Sequence, residues 1–116
     1  MSKQLNKAVE FEEYIQENDE QKYMLRLFVT GITPKSTRAV QNVKKICETY
    51  LSNNYSLEVI DIYQQPHLAE EEQIIAAPTL IKKNPLPVKR LIGDMSNIQK
   101  VLSGLNLGHK YDGQQF

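Results

Sequence analysis

The sequence predicts one α/β domain with the element order βαβαββα, and three observations carry that expectation. Met24, Leu25, Leu27, Phe28 and Val29 are apolar with only Arg26 interrupting, the pattern of a strand buried between two layers. Val40, Val43, Ile46, Cys47, Tyr50 and Leu51 then recur at helical spacing, with charged residues on the opposite face. The apolar run from Ile74 to Ile81 is broken by Pro78. Proline donates no ladder hydrogen bond and forces the residue before it out of the helical region, so Pro78 closes one element and opens a strand at Thr79. A chain of 116 residues has the length of one domain with a core of modest size.

The elements follow in order. Residues 1–22 form an acidic N-terminal extension, with Glu10, Glu12, Glu13, Glu17, Asp19 and Glu20 against Lys3, Lys7 and Lys22. Ala8, Phe11, Tyr14 and Ile15 make a thin apolar stripe there, which reads either as a short amphipathic helix or as a solvated extension. The domain proper spans residues 23–105. After the first strand, Gly31-Ile32-Thr33-Pro34 turns into a helix with Thr33 as N-cap and Pro34 in the first turn. Asn53-Asn54 ends that helix, and Leu57, Val59, Ile60 and Ile62 form a second buried strand, joined to the first by a parallel crossover. A short helix starts at Gln65-Pro66, and Glu70, Glu71 and Glu72 are expected near its first turns, where the helix dipole favours them. The strand from Thr79 to Lys83 returns through Asn84-Pro85-Leu86-Pro87 as Val88 to Ile92. Ser96 and Gln99 have the spacing of a capping box for a last helix, whose buried stripe is Ile98, Val101, Leu102 and Leu105 and whose stop is Gly104 or Gly108. Residues 106–116 are a tail.

Composition removes several function classes. Lysine plus arginine equals aspartate plus glutamate at 14 each, without the sustained positive excess that a nucleic-acid or membrane binder needs. The single cysteine excludes a disulfide framework, and no apolar run is long enough for a secretory signal or a membrane span, so a cytoplasmic location is expected. His67 with Glu70 and Glu71 comes nearest to a metal set, but one imidazole and adjacent carboxylates on one turn do not close a coordination shell. No metal or cofactor is expected. The local excess of positive charge is on the hairpin, at Lys82, Lys83, Lys89 and Arg90. It reads either as a charged edge that discourages pairing between molecules or as a contact for an acidic partner.

The order βαβαββα with a proline before the third strand resembles the thioredoxin fold, in which that proline is usually cis. A redox member needs a thiolate at the start of the first helix, where the dipole lowers the thiol pKa. Thr33-Pro34-Lys35-Ser36 holds that place, and Cys47 lies more than two turns along on the apolar face. A glutathione transferase would keep the proline but also needs a helical second domain, for which the chain ends too soon. No catalytic residue is therefore expected. A glutathione- or thiol-handling enzyme stands as the alternative reading, and an adaptor for a sensor kinase as a third.

The chain also resembles the KaiB family of the cyanobacterial circadian clock and its relatives in other bacteria. The resemblance runs from about Tyr23 to Leu105. It is carried by Leu-Phe-Val-Thr-Gly-Ile-Thr-Pro-Lys-Ser-Thr-Arg-Ala-Val at 27–40, Leu-Glu-Val-Ile-Asp-Ile at 57–62, Leu-Ala-Glu-Glu-Glu at 68–72, Ala-Pro-Thr-Leu at 77–80 and Pro-Val-Lys-Arg-Leu-Ile-Gly-Asp-Met-Ser-Asn at 87–97. It implies a non-enzymatic regulator that docks on a KaiC-like ATPase ring, competes there with a sensor histidine kinase of SasA type and captures KaiA. It implies partner-binding roles for Lys82, Lys89 and Arg90, and for Glu58 and Gln73, which stand where the family typically carries lysines. It further implies two folds: a resting homo-oligomer, tetramer or dimer, of order βαββααβ, and an active monomer of order βαβαββα. Pro78, Gly104 and Asn106 are the residues assigned to that switch.

Overall fold

The computed structural model describes residues 22–107. The stripe from Ala8 to Ile15 and the tail from Gly108 onward lie outside the described residues. Within them the order is βαβαββα: β1 Tyr23–Val29, α1 Pro34–Tyr50, β2 Tyr55–Asp61, α2 Pro66–Glu71, β3 Thr79–Asn84, β4 Lys89–Ile92 and α3 Ile98–Gly104. The four strands make one sheet in the order β2-β1-β3-β4. β1 pairs parallel with β2, from Tyr23 opposite Tyr55 to Val29 opposite Asp61, and antiparallel with β3, which pairs antiparallel with β4. Among the described residues no helix is long and apolar enough to cross a membrane.

The pleat of the sheet divides the interior into two unequal parts. Tyr23, Leu25, Leu27 and Val29 alternate onto one face and pack with Ala39, Val43, Ile46 and Cys47 of α1 and with Val101, Leu102 and Leu105 around α3. On the other face Phe28, Ile60 and Ile81 are fully buried beneath Leu68, Ala69 and Ile74. This second core is small because α2 has only six residues and buries none of its own side chains completely.

Local chemistry sets the ends of the elements. Thr33 caps α1, its hydroxyl accepting from Ser36 N–H at 3.1 Å, and Pro34 occupies the first turn as expected. Gly31 has φ +62, which a glycine takes without strain, and its N–H donates to Asp61 Oδ1 at 3.2 Å, tying the β1–α1 loop to the end of β2. Pro78 is buried at the entrance to β3, and the Ala77–Pro78 bond is cis, as the thioredoxin resemblance implies.

Four expectations need correction. β2 is an edge strand rather than a strand buried on both faces: only Ile60 is fully buried and Val59 is 42% exposed. Glu70, Glu71 and Glu72 lie at the end of α2 rather than in its first turn, because that helix stops at Glu71. The cap of α3 is Asn97, whose side chain accepts from Lys100 N–H at 3.1 Å; the Ser96 N–H instead donates to Asp94 Oδ1. Finally, α3 is stopped by Asn106, not by a glycine. Asn106 takes φ +65, and the Leu107 N–H closes the turn onto the Leu102 carbonyl at 2.7 Å.

Candidate functional site

In a thioredoxin-like fold the start of α1 is where a nucleophile would sit. Here Ser36 is the buried residue of that turn, and its hydroxyl accepts from the Thr30 N–H at 3.1 Å, so it closes a loop rather than facing a substrate. Cys47 is buried in the larger core, and burial, assisted by the charge of Glu48, pushes its thiol up to about 12. A thiol with that pKa holds almost no thiolate at neutral pH. Among the described residues no three His, Cys, Asp or Glu side chains are arranged to hold a metal ion.

Charge is concentrated elsewhere, on the face of the sheet that α2 covers. Alternation along β1, β2, β3 and β4 sends Arg26, Glu58, Lys83 and Arg90 to this face. Glu72, the residue that follows α2, reaches over them from above. Its carboxylate accepts from Lys83 Nζ at 2.6 Å and from Arg26 Nη1 at 3.2 Å, and Arg90 Nη2 stands 4.0 Å from its other oxygen. Arg26 also donates to Glu58 Oε1 at 3.0 Å, so a chain of alternating charges crosses the sheet. The hydrogen bond from Lys83, with the charges of Lys83, Arg26 and Arg90 behind it, holds the Glu72 carboxyl below the usual carboxylate range, against the opposite pull of burial. Arg90 has a second task. Its guanidinium donates to the carbonyls of Glu72 and Gln73, covering the end of α2, where Gln73 takes φ +56.

The residues singled out from sequence thus fall into two groups. Arg90, Glu58 and Gln73 come together around Glu72. Lys82 and Lys89 are paired across β3 and β4 but lie on the opposite face, so the basic cluster of the hairpin is divided by the pleat. Lys89 is exposed, whereas Lys82 is 1% exposed and its Nζ finds no hydrogen-bond partner among the described residues. Pro78 opens β3, Gly104 is the last residue of α3 and Asn106 forms its stop. Sequence reasoning missed Glu72 and Arg26 as organisers of the site. The signal was present in Arg26, the lone charge in an otherwise apolar strand, which needs a counter-charge once its strand is central.

Comparison with known proteins follows the same lines. The family model of the KaiB domain matches residues 26–107. The circadian clock oscillator protein KaiB of Synechococcus elongatus is 49% identical over 96 residues, 81% of this chain and 94% of that protein. The circadian clock protein KaiB3 of Synechocystis is 47% identical over 89 residues, 77% of this chain and 87% of that protein. Among solved structures, the N-terminal domain of Synechococcus elongatus SasA matches with a TM-score of 0.60 at 31% identity, covering 73% of this chain and 84% of that domain. Mitochondrial thioredoxin 3 of Saccharomyces cerevisiae matches with a TM-score of 0.61 at 15% identity, over 83% of this chain and 88% of that one, a likeness of fold alone. With the family model spanning most of the described residues and relatives about half identical over nearly their whole length, this chain belongs to the KaiB family.

Proposed function

We propose that the chain is a non-enzymatic, cytoplasmic regulator of clock or stress signalling that docks on a KaiC-like ATPase ring. The observation that carries this reading is membership of the KaiB family, whose relatives quoted above are circadian clock proteins. Two features support it. The second half of the domain runs αββα, the arrangement that the family resemblance assigns to the binding-active monomer. The SasA N-terminal domain shares this fold at 31% identity, as two proteins competing for one docking place would. A sensor kinase of SasA type or KaiA would then be a competitor or a captured partner, and a tetramer or dimer with Pro78, Gly104 and Asn106 rearranged would be the resting form.

Lys89 and Arg90, exposed on the edge strand β4, steer an acidic ring surface from the two faces of the sheet, Arg90 on the face that it shares with Glu58 and Gln73. The test is co-elution of the protein with a nucleotide-bound KaiC-type ring from the same genome. The wild type is expected to co-elute, and replacing Lys89 and Arg90, the exposed members of the basic cluster, together by alanine should weaken binding at least tenfold, whereas Lys82, buried in the fold, lies outside the surface tested. Absence of wild-type binding removes the partner. Unchanged binding of this double variant at low and moderate salt removes the surface but keeps the partner. Glu58→Lys should tighten binding to a ring from a clock organism, since lysine is the family's usual residue there.

A further inference from the structure

Four large apolar side chains stand exposed at one end of the sheet. β1 and β2 finish at this end, β3 starts here and β4 returns to it. Tyr63 follows β2, Ile32 follows β1, Ile75 precedes β3 and Ile92 closes β4, so the strand order β2-β1-β3-β4 sets them in a row across the sheet end. Ile32 is 97% exposed, Ile75 91%, Tyr63 73% and Ile92 58%. Exposed apolar residues scattered singly need no explanation, but several at one sheet end mark a contact surface. Hydrogen bonds hold them there. Asp61 Oδ1 accepts from the N–H of Gly31 at 3.2 Å and of Tyr63 at 2.9 Å, and the Tyr63 ring lies beside the turn that carries Ile32. On the other side the Gly93 N–H donates to the Pro78 carbonyl at 3.0 Å, tying the end of β4 to the start of β3.

The chemistry of an occupant follows from what surrounds the row. Between Ile75 and Pro78 the main chain is open: the N–H and carbonyl of half-buried Ala77, and those of Ile75, make no hydrogen bond among the described residues, while the Ala76 carbonyl accepts from the Thr79 hydroxyl. Open main-chain groups beside apolar side chains suit another main chain in extended form. Four strands about 4.8 Å apart span roughly 14 Å, the length of about four extended residues. The charge left open here is positive. Lys35, three residues after Ile32, is exposed and enters no ion pair among the described residues, whereas Asp61 is occupied by Gly31 and Tyr63 and Asp94 by Arg38. The row is also continuous with the basic edge, since Arg90 precedes Ile92 by two residues and donates to the carbonyl of Gln73, two residues before Ile75.

We infer that this sheet end docks an extended, apolar segment of a partner protein that carries a carboxylate at its flank, with its backbone on Ala77, its apolar side chains on the row and its carboxylate on Lys35. The partner's identity rests on the reading above, in which that segment belongs to the KaiC-like ring; the chemistry of the surface does not.

Binding of the nucleotide-bound ring to Ile32→Ser/Ile75→Ser tests it, with Leu86→Ser, an equally exposed apolar residue of the β3–β4 turn at the opposite sheet end, as control. The double variant is expected to keep the wild-type thermal midpoint and to bind at least tenfold more weakly, and Leu86→Ser to bind as the wild type does. Undiminished binding of the double variant, or an equal loss in Leu86→Ser, overturns the inference. Should the wild type not bind the ring at all, the partner reading falls alone, and an array of short peptides alternating leucine and serine, ending in aspartate or in lysine, decides the surface. The wild type should then be retained at least fivefold more by the aspartate peptides than by the lysine ones and more than the double variant is. Equal retention of the two proteins overturns the inference.

Discussion

The Nζ of Lys83 lies 2.6 Å from Oε2 of Glu72, joining the third strand to the residue that follows the second helix. Around that contact Arg26 and Arg90 complete a ring of positive charge on one carboxylate, so a short helix with no fully buried side chain is fastened by its end as well as by the contact of Leu68 and Ala69 with the smaller core.

Glu72→Gln should therefore loosen α2 with little effect on the larger core, at a cost of the order of 1 kcal/mol for a partly screened network. The carboxyl pKa is depressed in the folded state, so its contribution is fully present above the ordinary value of 4.5 and is lost as pH falls through the lower folded value. Wild-type stability should fall more steeply than that of Glu72→Gln on acidification below about pH 4.5, as read by denaturant midpoints across a pH series. Parallel curves would remove Glu72 from this role.

The cap of the last helix is a sharper discriminator between sequence pattern and geometry. Asn97→Ala should cost about 1 kcal/mol because the Lys100 N–H loses its acceptor, while Ser96→Ala should be close to neutral. Urea denaturation of the two variants decides it. The reverse order would restore Ser96 as the cap.

Gly104 ends α3 against Leu91, and a methyl group there would meet both Leu91 δ-carbons at 2.8 Å. Helix propensity alone favours Gly104→Ala by about 1 kcal/mol, but the half-buried Leu91 side chain must turn aside to admit it. The gain from Gly104→Ala should thus be larger in a Leu91→Val background than in the wild type, measured as a double-mutant cycle of stability with the oligomeric state followed by size exclusion. Additive effects would mean that the two side chains do not meet.

Cys47 should behave as a small core residue. With its thiol pushed up to about 12, alkylation of the folded protein at pH 7 to 8 should be at least tenfold slower than that of the unfolded chain, and insulin reduction should not exceed a heat-treated control. Turnover abolished by Cys47→Ala would reverse this reading.

Much of the fold was legible because its signals are local. The apolar run of β1, the helical spacing from Val40 to Leu51, the Thr33 cap and the proline before β3 each name their element without help from the rest of the chain. Strand order was harder to read. Val59 looks like a core residue until β2 is known to be an edge, and Glu72 looks like a helix-start carboxylate until α2 is known to stop at Glu71. The candidate site depended on the same non-local facts. Lys82 and Lys83 are neighbours in sequence, but the pleat sends one into the larger core and the other to Glu72. The stop at Asn106 was missed because asparagine tolerates the left-handed region less conspicuously than the glycines on either side of it.

The unequal thickness of the two layers has a dynamic consequence. Amides of α1, anchored through Ala39, Val43, Ile46 and Cys47, can exchange with solvent only when the larger core opens. Those from Leu68 to Ile74 are held by the three-residue cluster of Phe28, Ile60 and Ile81 and by the charges on Glu72. That segment should peel away at a much lower free energy, leaving β1, α1 and β2 folded behind it, and hydrogen exchange would record the molecule as a persistent half carrying a transient one.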